Sequence, residues 1–150
     1  MGKEYKNILQ FAIERERDAY DFYTKAKEHV KTSNARTFFD QLAKQELAHK
    51  QKLESMSISK ELLIDLSSLD IASYTLDEQF ADDMQFHMEY QQILLLAIKR
   101  EEMSVRLYKN MRMVVKEPDK QQLFGILMQE EQSHREELQI EYDAYVLTED

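Results

Sequence analysis

The sequence predicts an all-α fold: a bundle of four long helices, made of two duplicated antiparallel pairs joined by a long crossover. Three observations predict it. Apolar residues recur at steps of three and four, as in Leu123, Phe124, Leu127, Leu138 and Tyr142, which is the mark of an amphipathic helix. One Pro and two Gly in 150 residues leave few tight turns, while 33% of the residues are charged. The chain also repeats itself at an offset of 85 residues. That shift matches Leu9 with Leu94, Ala12 with Ala97, Ile13 with Ile98, Tyr23 with Tyr108, Phe39 with Phe124, Leu42 with Leu127 and Leu53 with Leu138. A chain of this length builds one core, so residues 1–150 are expected to form a single domain.

The first helix is expected from about residue 4 to 31, with Leu9, Ile13, Glu16, Tyr20, Tyr23 and Val30 near one face. Ala12, Ala19 and Ala26 lie beside them, and Glu14, Arg15, Arg17, Asp18 and Asp21 read as a solvated surface. Ser33 is the expected cap of the second helix, which runs to about 56 with Phe38, Phe39, Leu42, Glu46, His49, Leu53 and Met56 inward. So short a join makes the two helices antiparallel neighbours.

Residues from about 58 to 84 break the rhythm: Ser57, Ser59, Ser67, Ser68 and Ser73 punctuate short apolar pieces such as Leu62-Leu63-Ile64. Thr75 and Glu78 have the spacing of a capping box, for a short helix or an early start to the third long one. A crossover of that length spans a bundle even as extended chain, which lets the second and third helices run parallel. The third helix is expected from about 85 to 115, with Leu94, Ala97, Ile98, Glu101, Val105, Tyr108 and Met111 inward. Pro118 marks the first turn of the fourth, which should end near Tyr145. No fifth helix is expected after it, and Met111, Met113 and Met128 read as core filler.

The net charge of −9 argues against nucleic-acid binding, which needs clustered Lys and Arg. With no cysteine, disulfides, thiolate-bound zinc and cysteine-held iron–sulfur or rubredoxin-type iron are excluded. No apolar run approaches membrane-spanning length and the N-terminal residues show no signal region, so a cytoplasmic location is expected. Gly2 does not complete a myristoylation motif, because Lys6 stands where that motif wants Ser or Thr.

The chemistry lies in the polar residues that fall on apolar stripes. Glu131 and His134 are three apart on the stripe of the fourth helix, and Glu46 and His49 repeat them at the same 85-residue offset. Glu16 and Glu101 form another repeated pair, one on each remaining helix. Residues i and i+3 share a helical face, so each Glu-x-x-His offers an oxygen and a nitrogen to one centre. A buried carboxylate is costly without a partner. Four together repel, and two divalent cations supply the four positive charges that balance them. Mixed carboxylate and imidazole donors suit iron or manganese, with zinc also able to bind.

A lone His on an apolar face is more often a hydrogen-bonded core residue than a ligand. The duplication sets that reading aside for His49 and His134. His29 and His87 have neither the preceding Glu nor a repeat partner, and read as surface or packing residues. Glu130 has Gln45 as its counterpart and reads as solvated.

The ordered set Glu16-x-x-Ala19-x-x-x-Tyr23, Glu46-x-x-His49, Glu101-x-x-Ser104-x-x-x-Tyr108 and Glu131-x-x-His134 resembles the rubrerythrin-related branch of the ferritin-like di-iron carboxylate superfamily. The resemblance covers all four long helices. It implies a ferritin-like four-helix bundle holding two iron ions, with Glu46 and Glu131 bridging them. Glu16 and Glu101 would be terminal ligands, and His49 and His134 would each complete one metal. Tyr23 and Tyr108 are expected to hydrogen-bond ligating carboxylates. Rubrerythrins usually carry a further ligating Glu where Ser104 stands, so the six-residue set is closer to that of bacterioferritin. The rubredoxin domain that feeds electrons to many rubrerythrins is not in these residues.

The expected activity is therefore a di-iron oxidoreductase, oxidising ferrous iron or reducing O2 or hydrogen peroxide. A separate electron-donor protein and a homodimer are the expected partners. The alternative is a non-catalytic metal-binding, iron-storage or assembly module.

Overall fold

The computed structural model of the chain describes residues 5–75 and 89–149. Four long helices, α1 (Ile8–His29), α2 (Ser33–Glu54), α4 (Tyr90–Val114) and α5 (Pro118–Glu149), frame the bundle. A short helix, α3 (Lys60–Leu66), and a 3-10 turn over Ile71–Tyr74 lie in the crossover, and no strand occurs among the described residues. The fold is a ferritin-like helical bundle, as expected.

Two apolar clusters fix the direction of each helix. One gathers Phe22, Tyr23, Ala26 and Val30 from the end of α1, Ala35, Phe39 and Leu42 from the start of α2, Leu94 and Ala97 from the start of α4, and Leu138 from the later half of α5. The other gathers Leu9 and Ala12, Leu53, Tyr108 and Met111, and Phe124 and Leu127, from the opposite end of each helix. The pairs α1/α2 and α4/α5 are therefore antiparallel, and α2 runs parallel to α4. Between the clusters lies a middle layer, and the buried acidic side chains occupy it.

The repeat is structural as well as textual. Tyr23 stacks on Phe39 with ring centroids 6.0 Å apart, and Tyr108 stacks on Phe124 at 6.5 Å. Each pair ties a helix to the one that follows it. Since the two pairs are related by the 85-residue shift, the halves of the bundle share one packing solution.

Helix ends differ from the sequence reading where side chains other than the expected ones satisfy the free backbone groups. The first helix starts at Ile8 rather than near residue 4, because Asn7 is extended and its side chain accepts from the Gln10 amide at 3.0 Å. The cap of α2 is Thr32, not Ser33: Thr32 Oγ1 accepts from the Ala35 amide at 3.1 Å. At α4, Glu89 is extended and its amide donates to Gln92 Oε1 at 3.0 Å, so the helix begins at Tyr90. Helix α5 runs on to Glu149, past the expected end near Tyr145.

The crossover is more ordered than its serines suggest. Ser59 caps α3 by accepting from the Leu62 amide, and Leu62 and Leu66 bury completely in the second cluster. Thr75 closes the 3-10 turn by donating to the Ala72 carbonyl, while Glu78 and His87 lie outside the described residues. Met111 is buried as core filler, but Met113 is 71% exposed.

The capping assignment is directly testable. Thr32→Ala is expected to lower the free energy of urea unfolding by about 1 kcal/mol, whereas Ser33→Ala stays within about 0.5 kcal/mol of the parent.

Candidate metal centre

In the middle layer, the apolar stripes of all four long helices are interrupted at matching heights. Glu16 comes from α1, Glu46 and His49 from α2, Glu101 from α4, and Glu131 and His134 from α5. None of the six is more than 3% exposed. They converge as two quartets: Glu16, Glu46, His49 and Glu131, and Glu46, Glu101, Glu131 and His134. Within each quartet the facing oxygen and nitrogen atoms lie within 4.8 Å of one another, close enough to hold a metal ion. Glu46 and Glu131 belong to both.

The hydrogen-bond inventory of these side chains is divided. Tyr108 on α4 donates to Glu16 Oε1 at 2.5 Å, and Tyr23 on α1 donates to Glu101 Oε1 at 2.5 Å. Each outer carboxylate thus has one oxygen occupied and one, Oε2, without a partner. Both oxygens of Glu46 and of Glu131 are without partners, as are Nδ1 of His49 and of His134. Eight buried donor atoms therefore face one another and nothing else.

The imidazoles are oriented from outside. His49 Nε2–H donates to the Glu130 carboxylate, and His134 Nε2–H donates to the Gln45 carbonyl oxygen at 2.5 Å. Those acceptors fix the proton on Nε2 and turn the Nδ1 lone pair inward. His49 Nδ1 then lies 2.8 Å from Glu131 Oε1 and 3.5 Å from oxygens of Glu16 and Glu46. His134 Nδ1 lies 3.0 Å from Glu46 Oε1, 3.5 Å from Glu131 Oε1 and 3.7 Å from Glu101 Oε2. Lone pairs at such distances repel unless a proton or a cation sits between them. The donor set fits divalent metal ions.

Protons are the alternative counter-charge, and the cluster's proton affinities reflect it. Burial, with the Glu46 charge beside it, pushes the Glu16 carboxyl up to about 8. Burial and the charges of Glu101, Glu46 and Glu16 push Glu131 well above the usual carboxylate range. Burial alone would pull the imidazoles down; contacts with Glu16 lift His49 to about 9, and contacts with Glu101 and Glu46 lift His134 to about 10. Glu46 is the exception: burial raises it, but His134 and Glu131 outweigh that and leave it below the ordinary value. Burial and the neighbouring carboxylates push both tyrosine hydroxyls well up, so they remain neutral donors.

A rubrerythrin family model matches residues 6–142, which takes in all six of these residues and both tyrosines. The chain belongs to the rubrerythrin family. That family is part of the ferritin-like di-iron carboxylate superfamily. Among curated proteins, none matches the chain significantly.

The six candidate ligands come together in this layer with Tyr23 and Tyr108, which bond carboxylates on the opposite half of the repeat. Glu130 and Arg15 read as solvated in the sequence, and Gln45 has no role there; all three are partly or fully exposed yet bonded into the bundle. Glu130 and Gln45 hold the imidazoles. Arg15 donates to the carbonyls of Tyr74 and Arg100 and, at 3.4 Å, to Ser104 Oγ. The serine at the family's further-glutamate position is thus held by a guanidinium. Gln45 and Glu130 carry a trace in the sequence, since they are repeat counterparts four residues before the two histidines. His29 is exposed, with Nδ1 bonded to the Lys25 carbonyl at 2.8 Å.

The shifts set the sign of a pH effect. A carboxyl raised on folding weakens the fold once pH exceeds its unfolded value, here from about 4.5 upward through about 8 for Glu16. An imidazole raised on folding contributes stability that is complete below 6.5 and lost through about 9 to 10. Both act in the same direction, and Glu46 opposes them only on the acid side of its ordinary value. Chelator-stripped protein should therefore melt at progressively lower temperature from pH 5 to pH 9, while the added stability from Zn(II) grows over the same range. Calorimetric melts with and without zinc check both trends.

Proposed function

We propose that this chain is a di-iron carboxylate oxidoreductase, with two iron ions held by Glu16, Glu46, His49, Glu101, Glu131 and His134. The observation that carries the reading is the division of oxygens. Glu16 and Glu101 each have one oxygen bound by a tyrosine and one left over, while Glu46 and Glu131 each have two left over and belong to both quartets. That suits two terminal and two bridging carboxylates, with Nδ1 of one histidine for each metal. Four carboxylates against two divalent cations leave the buried cluster close to neutral.

When bound, the iron pair supplies one-electron steps towards O2 or hydrogen peroxide, or is itself oxidised as ferrous substrate. The chain's own residues do the rest. Tyr23 and Tyr108 hold the terminal carboxylates through one oxygen and limit their rotation. The apolar clusters above and below exclude bulk water, which strengthens every charge interaction in the layer. A cleft of about 350 Å3 lined by Gln45, Ala48, His49, Lys52, Glu130 and Ser133 among others opens over the histidines. Small oxidants and ferrous ion would reach the cluster there. Ser104, bonded to Arg15, supplies no carboxylate, and among the described residues the buried metal-ligating quartets contain four glutamates.

Stopped-flow mixing tests the reading. Protein loaded anaerobically with two equivalents of Fe(II) is expected to be oxidised by O2 or hydrogen peroxide faster than the free ion. Glu131→Ala should slow this by at least about 100-fold, beyond what loss of an outer partner costs. Inertness towards both oxidants with iron still bound would remove the oxidoreductase reading and leave a metal-holding module.

A further inference from the structure

The two halves of the centre match inside and differ outside. Glu130 and Gln45 are counterparts in the 85-residue repeat, and they occupy equivalent places on the two imidazoles. Yet His49 Nε2–H donates to a carboxylate and His134 Nε2–H to a neutral amide oxygen. Glu130 Oε2 faces His49, and Oε1 lies 3.7 Å from Lys52 Nζ at the half-exposed rim of the cleft. The imidazoles themselves are parallel within 14° with centroids 5.8 Å apart, and each Nδ1 faces three carboxylates at between 2.8 and 3.7 Å. Among the groups bonded directly to the two imidazoles, the partner on the far nitrogen is the one that changes charge between the halves.

We propose that Glu130 and Gln45 make the two metal positions unequal, the one served by His49 binding the more tightly. A hydrogen bond to an ionised acceptor is roughly twice as strong as one to a neutral acceptor. Through the imidazole ring it pushes electron density onto the ligating nitrogen, and such outer partners are worth roughly 10- to 100-fold in metal affinity. Glu130 is a positioning and tuning residue in this scheme, never a ligand. The order of filling would follow: His49 with Glu16 first, His134 with Glu101 second. This inference rests on the two-metal reading above.

Zn(II) added to the chelator-stripped full chain tests it, read by calorimetry and by nitrogen-15 histidine spectra. At one equivalent, the His49 Nδ1 signal should move to its bound position while that of His134 stays. Glu130→Gln should raise the first dissociation constant about tenfold and erase the order. Gln45→Glu, which gives His134 a charged acceptor too, should also erase the order, but by tightening the second step. Glu137→Gln removes the same charge from the same cleft without touching an imidazole bond, and should preserve the order.

The proposal fails if both histidines shift together in the parent protein, if His134 shifts first, or if Glu130→Gln keeps the order. It fails equally if Glu137→Gln loosens zinc as much as Glu130→Gln, since bulk charge would then explain the effect. Complete loss of one zinc in Glu130→Gln would make Glu130 a ligand and overturn it as well. Uptake of two zinc ions without order defeats this inference alone, whereas no zinc uptake defeats the two-metal reading with it.

Discussion

Eight lone-pair-bearing atoms, buried and facing only one another, are the constraint from which the rest of this structure follows. Such an arrangement is unfavourable in any apolar interior unless positive charge enters it. Protons can supply that charge, as the raised affinities of Glu16, Glu131 and both histidines show, but only by leaving several groups neutral or doubly protonated. Two divalent cations supply it without protonating any carboxylate. The cost of assembling the layer is offset by the two apolar clusters above and below, which contain the largest fully buried side chains among the described residues.

The tyrosines show how the bundle enforces the arrangement. Tyr23 and Tyr108 each reach across from one half of the repeat to a carboxylate on the other, and each is backed by a phenylalanine of the following helix. A shift of either helix pair along the bundle would break both crossed bonds at once. Their hydroxyls thereby couple the register of the halves to the orientation of Glu16 and Glu101. The apolar side chains of α1 and α4 also meet in both clusters, so the crossed bonds add direction to a contact that packing already makes.

What the sequence made legible was the interior. Glu16 and Glu101 stood out because a carboxylate among Leu9, Ala12, Tyr23 and their counterparts contradicts its surroundings, and the repeat showed that the contradiction occurs twice. The helix directions followed from the short join between the first two helices, the length of the crossover and the repeat together. Illegible were features that depend on which surfaces meet across the bundle. Glu130 lies on a partly exposed flank of α5, and its value to His49 comes from the antiparallel register of α5 against α2. Arg15 looked solvated because its neighbours are charged, yet its guanidinium reaches the carbonyls of Tyr74 and Arg100. Thr32 rather than Ser33 caps α2 because both residues can cap, and only the backbone turn decides between them.

The same division bears on how a duplicated site can become asymmetric. Inside, every position answers to a charge balance shared with five others, so altering one half, for example Glu46 without Glu131, would leave unpaired atoms in both quartets. Outside, a partner touches one imidazole and solvent, and a carboxylate or an amide can each accept the same proton. The exchange of Glu for Gln between positions 130 and 45, like that of Ser104 for Ala19, therefore alters one half without unbalancing the core. Differences between the halves should collect in this outer layer, where they change how strongly a ligand donates but leave the number of ligands intact. In a bundle built this way, the buried layer sets how many ligand atoms converge, and the surrounding layer sets how alike the two halves are.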